Sequence, residues 1–259
     1  MMQIFSFILG AGVGSFVNVL AWRAMAGQSV ARPPSFCRSC RRPLWRRDLI
    51  PVVSFFLLAG RCRFCKSGIS WQYPLVEGAV ATLFLLASLR PSASPWELLG
   101  AWIAITVFVA LFLTDWRAMV IPDVIALPAL GMFLIIDLAF LRTPFLPLII
   151  ALAVGGGFFL VQYFISGGRW VGGGDIRFGL LMAAALLTWQ KTLAAIFVSY
   201  IIGALVVIPL LLFRKIRMKS LIPLGTFLSV GALVMLFFGQ RILAGLFGGF
   251  ISIDRVIAP

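Results

Sequence analysis

Apolar residues run through this chain in long stretches separated by short polar joints. Eight stretches read as membrane-crossing helices, roughly residues 4–22, 74–89, 96–114, 122–141, 144–166, 174–189, 192–213 and 222–249. The pattern predicts an all-α polytopic membrane protein with about eight transmembrane helices. One large polar excursion, residues 23–73, interrupts it. The expected organisation is a first anchor over 1–22, a loop domain over 23–73 and a seven-helix bundle over 74–259. Within the loop, the apolar run 49–58 is too short to span and contains Pro51, so it is expected to pack on the bundle or lie in the interface. Gly10, Gly14 and the run 155–157 offer places where helices can approach closely. No internal repeat is visible.

Composition agrees with the pattern. The 259 residues are 62% hydrophobic and 12% charged, with a mean hydropathy of +1.08, outside the soluble range. The formal charge of +14 invites a polyanionic partner, but its placement argues against one. With the amino terminus outside, most of the 22 basic residues fall on inside segments, with a concentration from Arg38 to Lys66. The positive-inside bias explains that distribution without nucleic acid, and it makes loop 23–73 cytoplasmic. No cleavable signal peptide is expected, because Met1–Phe5 carries no positive side chain and the basic flank follows the first apolar stretch.

The loop holds all four cysteines, as Cys37-Arg-Ser-Cys40 and Cys62-Arg-Phe-Cys65, with 21 residues between the pairs. Two such knuckles fold four thiolates toward one point and complete a tetrahedral S₄ zinc site. Neighbouring arginines would favour thiolates over thiols. The alternatives are disulfides, disfavoured in a reducing cytoplasm, and buried free cysteines. With four sulfur ligands the metal has no open position, so its expected role is to staple a small loop.

Histidine is absent, which removes Ser-His and Cys-His nucleophile systems and leaves eight acids as nearly the whole stock of bases. Two of them sit at the ends of apolar runs, where a carboxylate is costly and is usually functional. Asp115 closes one stretch, and Asp175 follows Gly172-Gly173-Gly174 and opens another. The alternation of spans places both at the cytoplasmic face, although 60 residues separate them. Asp175 is expected at a helix amino terminus, where the dipole favours its charge. The glycines before it permit positive φ and close backbone approach. Two carboxyls a few ångströms apart cannot both ionise easily, so one keeps a proton while the other activates water. The competing reading for each is a solvated helix cap, and for Asp123 after Ile121-Pro122 that reading is the stronger.

Taken together these residues resemble the bifunctional type IV prepilin peptidases of bacterial pilus and type II secretion systems. The resemblance covers nearly the whole chain. It runs from Gly14-Ser15-Phe16-Val17-Asn18-Val19 and Arg23, through the cysteine pairs, Asp48-Leu49-Ile50-Pro51 and Ile69-Ser70-Trp71-Gln72-Tyr73-Pro74-Leu75-Val76-Glu77, to Asp115, Asp123, Gly172-Gly173-Gly174-Asp175 and Ile222-Pro223-Leu224-Gly225. It implies a membrane aspartyl protease in the bacterial inner membrane. Such an enzyme cuts the basic leader from prepilin or pseudopilin precursors at the cytoplasmic face and methylates the new amino terminus with S-adenosylmethionine. By motif position the catalytic pair is Asp115 and Asp175, with Asp123, Gly172 and Gly174 supporting them. Arg177 stands where the family mostly has lysine, and Thr226 where a proline often follows Pro-x-Gly.

Methyl transfer is expected from the amino-terminal part with the zinc loop. The polar groups at its inner membrane edge are Asn18, Arg23 and Glu77, of which a carboxylate could receive the new amino terminus and an arginine the cofactor's carboxylate. Equally, Glu77 could pair with a loop arginine and Asn18 bond between helices. A transporter would also carry intramembrane acids and glycine breaks, but nearer the midplane and without a four-cysteine loop. A membrane-anchored zinc module for nucleic acid would explain the knuckles and not the acids.

Overall fold

The computed structural model describes residues 1–29, 34–90, 94–215, 217 and 220–247. Among these residues there are nine α-helices, two isolated β-bridges and no strand. The helices are α1 (Met2–Met25), α2 (Val53–Leu57), α3 (Gln72–Ser88), α4 (Pro95–Ala118), α5 (Asp123–Ile135), α6 (Phe145–Ser166), α7 (Gly173–Leu186), α8 (Trp189–Leu212) and α9 (Leu224–Phe247). The chain divides into two compact units, Met1–Gly131 and Met132–Pro259, with the division inside α5.

Six helices are long and apolar enough to cross a membrane: α1, α4, α5 with the π-helical turn Ile136–Phe140 that extends it, α6, α8 and α9. The chain is therefore a multi-pass helical membrane protein. Of the eight expected spans, α3 with 17 residues and α7 with 14 are the short ones. At 1.5 Å per residue they reach about 26 and 21 Å, against roughly 30 Å of hydrocarbon. Several expected boundaries move: α1 runs on to Met25 and α4 to Ala118, and the joint between α7 and α8 comes earlier. α7 ends at Leu186 because Leu187 turns left-handed, at φ 67°. A new helix starts at once on Thr188, whose hydroxyl accepts the Lys191 N–H at 3.4 Å. An apolar count blurs such a joint, since Thr188-Trp189 reads as neither polar nor turn-forming. Positions 248 and 249 of the last expected span lie outside the described residues.

In the first unit α1, α3 and α4 pack on one another. Small residues make this possible. A Cβ on Gly10 would lie 2.8 Å from the Ala81 Cα, and one on Gly14 only 2.7 Å from the Glu77 Cα, so α1 and α3 meet backbone to backbone. At the far end Phe84 of α3 stacks on Trp102 of α4, with centroids 5.4 Å apart, and the Trp102 Nε1–H donates to the Phe84 carbonyl. α4 is started by a reciprocal cap. The Ser94 hydroxyl accepts the Glu97 N–H, and the Glu97 carboxylate accepts the Ser94 N–H at 2.7 Å.

In the second unit α6 packs on α7 and α8 on α9. Gly155 and Gly179 face each other so closely that a Cβ on either would collide with the other's carbonyl oxygen. Gly156 is close to the Leu180 side chain, whereas Gly157 has open space. The expectation of close approach thus holds for Gly10, Gly14, Gly155 and Gly156 and fails for Gly157. Gly155→Ala should destabilise the protein by about 1–3 kcal/mol, as overpacking does. Gly157→Ala should be neutral or slightly stabilising through helix propensity. Thermal unfolding of the two variants in detergent checks the contrast.

Candidate functional site

The four-cysteine loop is built from two copies of one backbone motif. In the first, the Cys37 N–H donates to the Arg42 carbonyl at 2.9 Å, the Arg41 N–H to the Cys37 carbonyl at 2.8 Å, and Arg41 is left-handed at φ 58°. In the second, the Cys62 N–H donates to Ser67 at 2.8 Å, the Lys66 N–H to Cys62 at 3.0 Å, and Lys66 has φ 59°. A short antiparallel bridge closes each, Phe36 with Pro43 and Arg61 with Gly68. This local repeat is invisible in the side-chain sequence beyond the cysteines, because hydrogen bonds of the main chain carry it.

The four Sγ atoms lie within 4.8 Å of one another, and Cys37 and Cys65 are 3.8 Å apart. Sulfurs ~2.3 Å from a shared zinc ion at tetrahedral corners would be separated by about 3.8 Å, so the cluster fits a metal ion. Burial opposes charge at Cys37. Hydrogen bonds from the backbone of Cys40 and Ser39 and from the Cys62 and Ser67 side chains outweigh it and bring its pKa down from 9.0 to about 6. The arginines expected to favour the thiolate are engaged elsewhere. Arg38 lies over the Trp22 ring at 4.5 Å, Arg42 over Phe64 at 5.3 Å, and Arg63 pairs with Asp48 at 2.6 Å. That guanidinium holds the Asp48 carboxyl below the usual carboxylate range.

Between this loop and the ends of α1 and α3 lies a cavity of about 350 Å³, lined by Trp22, Arg23, Phe36, Asp48, Tyr73 and Glu77 among others. Arg23 and Glu77 are buried, at 3% and 6% exposure, and both reach it. The Arg23 guanidinium donates to the Ser29 carbonyl at 3.2 Å. Glu77 takes a backbone partner where a loop arginine was the alternative. Its Oε2 accepts the Val52 N–H at 2.6 Å. Val52 sits at φ 62°, ψ −54°, and the Val53 N–H reaches back to the Pro51 carbonyl at 2.6 Å, a γ-turn that a β-branched residue adopts only under strain. Asn18 does not line the cavity. It bonds helix to helix, accepting from Gln72 Nε2 at 3.0 Å and donating to the Gly14 and Tyr73 carbonyls.

Gln72 also accepts from the Arg117 guanidinium of α4. The chain of contacts Arg117–Gln72–Asn18 fixes the end of α4, the start of α3 and the end of α1 at one level. Asp115, two residues before Arg117, therefore stands at the loop's end of this unit and is 5% exposed. α4 continues past it for one turn and stops at left-handed Met119, whose N–H donates to the Asp115 carbonyl at 2.8 Å. Asp123 is the exposed first residue of α5, as a cap would be.

Asp175 belongs to the second unit. It is half-buried in the first turn of α7, and its Oδ2 accepts the Gly172 N–H at 2.8 Å. The expected use of positive φ is not seen there. Gly172 has φ −87°, and the left-handed glycines among the described residues are Gly27, Gly60, Gly167 and Gly168. What the run provides instead is open space, since Gly173 has nothing within 4 Å of a would-be Cβ.

A helical membrane protein with a four-thiol cluster beside a cavity and an acid at a helix end is a narrow class. Residues 8–90 match the Bacterial Peptidase A24 N-terminal domain, and residues 102–208 match the Type IV leader peptidase family. The chain is 31% identical to the prepilin leader peptidase/N-methyltransferase of Dickeya chrysanthemi over 86% of its own length and 88% of the relative's. It is 32% identical to the protein of the same name from Bacillus subtilis (strain 168), over 92% and 95% respectively. No solved structure matches. The chain belongs to the type IV leader peptidase family, and it is a peptidase of that family rather than a transporter.

Purified under reducing conditions, the protein should carry about one thiolate-bound metal ion per chain by elemental analysis. Cys62→Ser should lose most of it and expose the loop to limited proteolysis.

Proposed function

We propose that this enzyme cleaves the basic leader from type IV prepilin or pseudopilin precursors at the cytoplasmic face of the bacterial inner membrane, and then N-methylates the new amino terminus. The observation that carries the reading is the position of Asp115, a buried acid at the loop's end of α4. The spans α5 and α6 follow it, and an even number of crossings returns the chain to the face it left. Asp175, at the start of α7, then shares a face with Asp115 whether or not α7 itself crosses. α3 is read as a crossing helix despite its length. Its start bonds Asn18 near the end of α1, and its end lies with Met2 beside a second cavity, so it traverses the same depth as α1. With α7 also crossing, the count is eight. The organisation follows as an anchor 1–22, a loop domain 23–73 and a bundle 74–259, with the amino terminus outside by the positive-inside bias.

In this mechanism one aspartate of the pair is ionised and takes a proton from water as its oxygen attacks the scissile carbonyl. The other, protonated, donates to the developing oxyanion, and the departing amine leaves with a proton. Asp123, Gly172 and Gly174 support the site, the glycines by leaving room for an extended substrate. The metal is zinc, held by Cys37, Cys40, Cys62 and Cys65, and when bound it neutralises thiolates and staples the loop. The cavity, with aromatic walls and charges of both signs, holds S-adenosylmethionine, which when bound supplies an electrophilic methyl group. Arg23 and Glu77 would face that ligand, while Asn18 fixes the helices that carry them.

Asp115→Asn and Asp175→Asn should each reduce leader release from a prepilin peptide by at least about a thousandfold, from loss of a proton-sharing group, with membrane insertion retained. Asp123→Asn should do much less. A mutant of the first two that cleaves at the wild-type rate removes the dyad from the mechanism.

A further inference from the structure

Asp48 has one half of its carboxylate satisfied and the other half not. It stands on the short 3₁₀ turn Arg46–Leu49, between the two cysteine knuckles. Its Oδ1 accepts from Arg63 twice, from Nε at 2.9 Å and from an η nitrogen at 2.6 Å. Its side chain is 2% exposed, and Oδ2 is buried with no hydrogen-bond partner among the described residues. Asp48 lines the cavity under the loop, together with Trp22, Phe36, Arg23 and Glu77.

A buried acceptor left unmet is unfavourable, and a charged one more so. The other acid on the cavity wall is differently placed, since Glu77 spends one oxygen on the Val52 γ-turn and so holds the wall itself. Asp48 is kept in its rotamer by a two-pronged guanidinium and points an unmet acceptor, which can only receive a donated hydrogen. We infer that Asp48 is a ligand-binding residue of this cavity, its Oδ2 accepting a hydrogen bond from an O–H or N–H donor of the methyl-donor molecule. The inference rests on the reading of the cavity as the methyl-donor site. The donors of suitable chemistry are the ribose hydroxyls, the adenine 6-amino group and the amino group of the amino-acid moiety. Asp48→Asn keeps an oxygen for Arg63 and replaces the acceptor by a donor, so it should repel the group that the wild type holds.

The test is equilibrium binding of S-adenosylhomocysteine to the full-length protein in detergent, alongside its 2′-deoxy, 3′-deoxy and desamino analogues and S-inosylhomocysteine, which lacks the adenine amino group. Metal content and unfolding temperature serve as checks on folding. Wild-type protein should bind one of the analogues about tenfold more weakly than the parent compound, the loss expected for one hydrogen bond to a charged group. Asp48→Asn should bind the parent more weakly by at least that factor and show no further loss with that analogue. A wild type that binds all five compounds equally overturns the inference, and this arm needs no variant to fold. Asp48→Asn that binds as the wild type does, or that loses equal affinity for every compound, overturns it too. Val19→Trp, which fills the cavity from α1, separates the two levels. If it blocks binding and Asp48→Asn does not, the cavity reading stands and the role of Asp48 falls. If Val19→Trp binds normally, the cavity reading falls and the inference with it.

Discussion

Hydrocarbon offers no hydrogen-bond partner, and most of this molecule's order follows from that. The chain can cross only as helices, and its charged side chains concentrate in the loop and at helix ends. Backbone contact then becomes the means of helix association, because side-chain burial gains nothing against lipid tails. Hence Gly10 and Gly14 let α1 lie on α3, and Gly155 and Gly179 let α6 lie on α7. The same constraint makes the few polar groups inside the first unit informative. Asn18, Gln72 and Arg117 use one another as partners, and so pin three helix ends at a single level. Charge gathered in the loop and at helix ends, and helices of the first unit registered to one another there, are two consequences of one cause.

Asp115, the acid proposed for proteolysis, and the cysteine loop share that level through the Arg117–Gln72–Asn18 contacts. Under the proposed function one enzyme acts twice on one chain terminus, and the shared level then has a physical use. Cleavage creates an amine at the membrane surface, and the next reagent must meet it without the apolar segment leaving the bilayer. Asp115 two residues from Arg117, and a cavity reached by Tyr73 one residue from Gln72, keep the two chemistries at one depth.

Much of this was legible in the sequence, and what was not has identifiable reasons. Apolar run length sufficed for the helices, and the CxxC spacing for the sulfur cluster, because both signals are local. The joint at Thr188 was expected but placed too late along the chain, since its turn depends on a capping hydroxyl and a left-handed leucine. The glycines before Asp175 were read for positive φ and close backbone approach, whereas Gly172 has φ −87° and Gly173 has open space around it. Arginines near the cysteines were read as counter-charges. In the structure they stack on aromatic rings or pair with Asp48, and main-chain donors take over the task of lowering the Cys37 pKa. Charge proximity in sequence said nothing about which group each cation had already found.

The loop's partners also explain why a segment with so little core holds a defined cavity. Phe55 is the one buried side chain of α2, packed 4.8 Å from Trp71, and the wall it belongs to would be weak by itself. Three polar constraints compensate. The sulfur cluster closes the two knuckles, the Asp48–Arg63 pair ties the second knuckle to the turn between them, and Glu77 captures the Val52 N–H from below. The last holds a strained γ-turn that isolated chain would abandon, at a cost of order 1–3 kcal/mol. Strain is kept only where the surroundings over-determine it. Here they do so at a place where loop, α3 and cavity meet, so the shape of the cavity is set by α3 as much as by the sulfur cluster.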